Sequence, residues 1–106
     1  MAKGKKTYAK IRKEFSRDFE DAEFRILFEE ERARSEIALA ITKARKAAGL
    51  TQAQLAEKID TTQSVIARLE SGSDDRMPSL SLLARIASAT GKHLILGFEA
   101  VEKKAG

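Results

Sequence analysis

The chain is 106 residues long, 42% hydrophobic and 34% charged, enough for one domain around one modest core. No run approaches the roughly 20 apolar residues of a membrane span, and the opening MAKGKKTYAKIRK has no apolar stretch of the secretory kind. The net charge of +4 is unevenly spread: +5 over residues 1–14, −4 over 15–36, +2 over 37–72 and +1 over 73–106, which points to separate partners for separate faces.

Residues 1–8 read as a disordered basic tail. A helical extension is expected over 9–34, where Ile11, Phe15, Phe19 and Ala22 recur at helical spacing, as do Phe24, Leu27 and Phe28. The polar cluster Asp18-Phe19-Glu20-Asp21 can divide this stretch into two helices, with Asp21 capping the second. Four of the five Phe fall within residues 15–28, inside the acidic block. Aromatic anchors in a charged rim suit a protein interface, so Phe15, Phe19, Phe24, Leu27 and Phe28 are the candidate partner-binding residues. The charge of this block calls for a basic partner. The alternative is that these rings pack on the chain's own core.

Ile37, Ala40, Ile41, Ala44 and Ala48 mark one face of the next helix, which Gly49 ends; the charged run Glu29–Arg34 allows the two segments to join as one. Lys43, Arg45 and Lys46 lie in its last turns, where cations favour the helix dipole. Thr51-Gln52-Ala53-Gln54 is a capping box, followed by inward-facing Leu55, Ala56 and Ile59. Asp60 stands at a break that often needs a left-handed residue. Thr62 caps the following helix, with Val65, Ile66 and Leu69 inward and Ser71-Gly72 at its end. Ser79 caps a further helix with Leu80, Leu83, Ile86 and Ala87 inward, closed by Gly91. The last element, HLILGF over 93–98, alternates Leu94, Leu96 and Phe98 on one side and is predicted as a short strand, which must pair with the same strand of a second copy, with another protein, or with nothing. His93 is expected to be a strand or surface residue.

With Val65, Ile66 and Leu69 turned inward, the helix after the break exposes Gln63, Ser64, Ala67 and Arg68. Small residues let a helix approach a major groove, and planar amide and guanidinium groups make paired hydrogen bonds to adenine and guanine. Gln52, at the start of the preceding helix, would lie by the DNA backbone. Apolar or small residues at 55, 56, 59, 66 and 69, with Gln at both helix starts, form a demanding pattern for a generic hairpin.

GLTQAQLAEKIDTTQSVIARLESG is similar to the helix-turn-helix of the XRE family, the lambdoid-repressor-like DNA-binding proteins. The likeness runs from about Ile37 to Gly91. It implies a mainly α, lambda-repressor-like domain over 35–91, with an N-terminal helical extension and a short C-terminal β-strand and tail over 92–106. By this resemblance Gln52 and Gln63 occupy positions that touch phosphate and base, and Thr62, Ser64, Ala67, Arg68 and Arg76 complete the DNA-binding set. Arg45 and Glu70 lie where the family often has a structural ion pair. Two departures stand out: Asp60 replaces the usual turn Gly, and Asp74-Asp75 put acids where relatives often place phosphate contacts.

The whole arrangement, DAEFRILFEEERARSEIALAITKARKAAGLTQ leading into the helix-turn-helix and a terminal strand after GKHL, resembles HigA-like antitoxins of type II toxin-antitoxin modules. This implies a cytoplasmic homodimer that binds a palindromic operator and represses its own operon. It also implies that the protein neutralises a small basic toxin of the RelE/HigB type. A dimer is expected on physical grounds as well, since one helix-turn-helix reads too few base pairs for a specific site. The alternative is an ordinary phage-type or regulatory repressor without a toxin. An enzyme is not expected: without Cys, with one His and without a Gly-rich phosphate loop, there is no nucleophile–base pair and no metal or cofactor site.

Overall fold

The computed structural model describes residues 21–73 and 76–101. They form four helices: α1 Ala22–Ala47, α2 Gln52–Lys58, α3 Gln63–Ser71 and α4 Leu80–Ala89. The expected basic tail, and the expected helix carrying Ile11, Phe15 and Phe19, lie outside the described residues.

The extension and the first domain helix are one element. Asp21 caps α1, its carboxylate accepting from the Glu23 amide at 2.9 Å, and the helix then runs 26 residues without a break, about 40 Å at 1.5 Å per residue. Nothing in Ala22–Ala47 opposes helix: it holds neither Gly nor Pro. Its charged stretch is tied by spacing, with Arg32 bonding both Glu29 and Glu36 and Arg34 bonding Glu31, the i,i+3 and i,i+4 neighbours of a helix surface. The hydrogen bonds and charge of Arg32 hold the Glu29 carboxyl below its ordinary range, and Glu29 and Glu36 in turn raise the guanidinium.

The buried positions of α1 lie in its second half. Ala38 and Ile41 are buried, with Ile37 beside them, while the predicted inward residues Ala40 and Ala48 are exposed. The stripe is therefore Arg34, Ile37, Ala38, Ile41 and Arg45, rotated from the predicted one. Alanine fits either face, so the apolar spacing alone left the phase of the helix open. Toward the N-terminus the same stripe continues through Phe24, Leu27 and Phe28. There Phe24 is half-buried, while Leu27 and Phe28 are 57% and 42% exposed.

The helix ends follow the predicted chemistry. Gly49 and Gly72 take the left-handed conformation after α1 and α3, which only glycine adopts without cost. Thr51 and Gln54 form the reciprocal capping box at 3.0 and 2.8 Å. Between α2 and α3 the chain turns at Asp60, φ 59°, the one non-glycine with positive φ among the described residues. The Thr61 amide returns to the Ala56 carbonyl at 2.9 Å and closes the turn. Thr62 and Ser79 cap α3 and α4 through their hydroxyls.

α3 packs on both α2 and α1, and α4 packs on α2. The core is Ile41, Leu55, Ala56, Ile59, Ile66, Leu69 and Ile86, flanked by Val65, Leu82 and Leu83. Fully burying one such aliphatic side chain contributes about 1.5–3 kcal/mol. Leu80 departs from expectation: as the first residue of α4 it faces outward and is 59% exposed.

The predicted strand is not seen. Among the described residues there is no strand, and 92–101 carry no regular structure. Leu94, Ile95, Leu96, Phe98 and Val101 are exposed there, Phe98 completely. The domain is helical throughout its described part, so a strand at its end meets no sheet edge to pair with.

Candidate nucleic-acid interface

The outer face of α3 is built by what its inner face must do. Ile66 is fully buried and Leu69 is 8% exposed, which fixes the helix about its axis. Gln63, Ser64 and Arg68 are then exposed, and Ala67 is half-buried between them. The predicted outer set thus lies on one surface. Thr62, exposed at the head of this helix, spends its hydroxyl on the Val65 amide at 3.3 Å. Ala56, buried at 3% exposure, belongs to α2 and is the small residue in the core between the two helices.

Behind this face, α3 is fastened to α1 and α2 through one carboxylate. Glu70 accepts from Arg45 Nε at 2.7 Å and from Arg45 Nη2 at 3.0 Å, a two-pronged ion pair with side chains only 7% and 11% exposed. Arg45 Nη1 also donates to the Leu50 carbonyl at 2.8 Å, which ties down the turn after α1. Burial opposes the charge on Glu70, but the hydrogen bonds from Arg45, Gln52 and Thr42 together with the Arg45 charge outweigh it and hold the carboxyl below its ordinary range. The Glu70 hydrogen bond raises the Arg45 guanidinium against its own burial. The expected structural ion pair is therefore present, and its role is to set α3 on the body of the domain.

Gln52 is placed differently from the other candidates. Its side-chain amide donates to Glu70 at 3.1 Å and is half-buried, so the side chain is part of the fastening network at the start of α2. Arg76 stands in the loop after α3, exposed. The Asp74-Asp75 pair lies outside the described residues. Arg76 and Arg68 line a small crevice beside α3 together with Arg34 of α1, over Ile37, Leu69 and Pro78.

Arg34 was not among the predicted site residues. Its signal was present in the spacing, since it lies three and seven residues before Ile37 and Ile41 on the packed stripe, but it was read as part of a charged run. The candidate partner residues form a second surface. Leu27 and Phe28, with Ile26 beside them, are exposed on α1 beyond the packed body, and Phe24 is half-buried. Phe15 and Phe19 lie outside the described residues. Among the described residues, no group of three or more His, Asp and Glu is placed to hold a metal ion, and no helix is long and apolar enough to cross a membrane. His93 is exposed in the C-terminal segment.

An outer face of this kind, small residues between a carboxamide and a guanidinium on a helix rigidly set against its neighbours, is chemically suited to base edges in a major groove. Comparison with known proteins agrees: residues 41–96 match the helix-turn-helix family. No curated protein and no solved structure matches the chain.

Proposed function

This chain belongs to the helix-turn-helix family, of the XRE type, which makes it a DNA-binding regulator of transcription, and we propose that it is an antitoxin of the HigA kind. In this reading a homodimer binds a palindromic operator and represses its own operon, and the extension neutralises a small basic toxin of the RelE/HigB type in the cytoplasm. The protein is assigned no catalysis and no cofactor.

On the DNA side, Gln63, Ser64 and Arg68 read base edges, Ala67 allows close approach, and Thr62, Gln52 and Arg76 lie by the backbone. Support comes from the exposure of these groups on a helix whose opposite face is locked into the core. The Gln52 side chain is engaged with Glu70, so its contribution is to position the start of α2.

On the partner side, the supporting observation is the first half of α1. It precedes the 41–96 match, it lies in the acidic block of the sequence, and it exposes Ile26, Leu27 and Phe28. A helix maintained beyond the body of its domain with apolar groups in a charged rim suits capture of a basic protein. Self-association is supported by the exposed Leu94, Ile95, Leu96 and Phe98, an extended apolar segment that a second copy can pair with across a two-fold axis.

Co-expression of the tagged chain with the small reading frame beside its gene tests the antitoxin reading. Co-purification of a basic protein whose growth arrest is relieved by this chain is the expected result. If no protein co-purifies and no arrest is relieved while the chain still shifts its own upstream DNA, it is a repressor without a toxin.

A further inference from the structure

Where α2 and α4 run out, the surface between them is open. A groove of about 240 Å³ is lined there by Lys58, Ile59, Arg85, Ser88 and Ala89. Ile59 is buried and Ala89 half-buried, so they form its floor; Lys58, Arg85 and Ser88 are exposed and form its rim. Arg85 is the one charged residue of α4. Among the described residues neither Lys58 nor Arg85 is paired with a carboxylate. The groove is smaller and more polar than the apolar sites of about 300–1,000 Å³ that hold small molecules. Long basic side chains lay their stems along apolar surface and keep their charge at its edge. An aliphatic floor with a basic rim therefore suits a large apolar side chain followed by an acid.

The C-terminal segment of the same chain carries that pair. Phe98 is fully exposed and touches nothing of its own chain, and Glu99 beside it is exposed as well. The segment has no strand geometry, so consecutive side chains are not held to opposite faces, and Phe98 can enter a groove while Glu99 turns to its rim. It leaves α4 through left-handed Gly91, next to the groove wall formed by Ser88 and Ala89. From Lys92 to Phe98 it reaches at most about 20 Å. Each copy thus offers both halves of one contact, a basic groove and an acid-tipped apolar segment, and a two-fold axis makes that contact twice.

We propose that the α2–α4 groove receives the C-terminal segment of a second copy, with Phe98 covering Ile59 and Ala89 and the Glu99 carboxylate meeting Lys58 and Arg85. It rests on the homodimer reading given above and specifies how the copies join: segment to groove, not segment to segment.

The test is sedimentation of the full-length protein and two charge-reversed forms, Lys58→Glu with Arg85→Glu in the groove and Glu99→Lys in the segment. Each form alone sets like charges across the contact and is expected to dimerise at least about tenfold more weakly than wild type. Mixed in equal amounts, the two are expected to recover a dimer near wild-type strength, because the acidic groove then meets Glu99→Lys and the basic groove meets Glu99. Helix content and melting temperature are measured for each form. If reversal of the groove lowers the melt, Lys58→Gln with Arg85→Gln takes its place and should weaken dimerisation in the same direction. The proposal is overturned if either form dimerises as wild type does, or if the mixture fails to recover the dimer, the result expected when segments pair with each other or fold back on their own chain. A wild-type chain that is monomeric at micromolar concentration overturns the homodimer reading itself, a distinct result from a dimer that survives both reversals.

Discussion

Glu70 ties three helices to one charge, and this has a consequence for pH. An unperturbed glutamate ionises at 4.5, and in the folded chain Glu70 is held lower. As pH falls, the unfolded chain takes up its proton first, so the stability contributed by this group is full above 4.5 and is lost as pH drops through the folded value. Urea titrations at stepped pH should show this acid limb, and Glu70→Gln should flatten it. Glu70→Ala at pH 7 leaves Arg45 with its charge buried and is expected to cost about 3–5 kcal/mol, read as a lower urea midpoint. The exposed residues of α3 behave in the opposite way. Gln63→Ala or Arg68→Ala should leave the free energy of unfolding, read from urea titration, within about 0.5 kcal/mol of wild type. Each should cost about 1–3 kcal/mol of base discrimination at one position per half-site, measured by binding to single-base variants of the operator. Unchanged discrimination in both would remove α3 as the reading helix.

At the scale of elements, α1 serves two halves of the molecule with different demands. Its second half is held by packing on α3. Its first half is maintained by the Asp21 cap and the ion pairs of Arg32 and Arg34. Substitution of an exposed residue there has little to disturb in the core. Leu27→Asp and Phe28→Asp are expected to leave melting within the range of surface changes, about 0.5 kcal/mol, while abolishing co-purification of the basic partner. If both variants instead lose the cooperative melt, those side chains belong to the chain's own fold. The turn between α2 and α3 shows how a local rule is met with a substitute. The backbone needs φ 59° at residue 60, and Asp fills that place at a modest cost because its short polar side chain tolerates the left-handed region.

For the whole molecule, the exposed segment 92–101 sets the expectation for assembly. Phe98 is fully exposed and Ile95 and Leu96 are 86% and 72% exposed, a row of large apolar groups that water does not favour. Leu96→Lys with Phe98→Lys should shift the chain from dimer to monomer in sedimentation at micromolar concentration, with helix content unchanged. A dimer that survives both changes would move the contact to α4, where Leu80 is 59% exposed.

The helices, their caps and the break at Asp60 were legible in the sequence because each is decided locally. Thr51-Gln54, Thr62 and Ser79 meet amides three residues away, and left-handed Gly49 and Gly72 end α1 and α3 by their own backbone freedom. The outer face of α3 was legible for a related reason: once Ile66 and Leu69 must be buried, a period of 3.6 residues leaves Gln63, Ser64 and Arg68 outside. Tertiary structure decided what spacing leaves degenerate. It chose Ala38 over Ala40 as the buried alanine of α1, turned Leu80 outward, directed the Gln52 amide to Glu70 and set Arg34 on one crevice with Arg68 and Arg76. The apolar alternation over 93–98 is not seen as a strand in the single chain, because a strand is not a local object. Its hydrogen bonds belong half to a neighbour, and no sequence pattern within one chain supplies that neighbour.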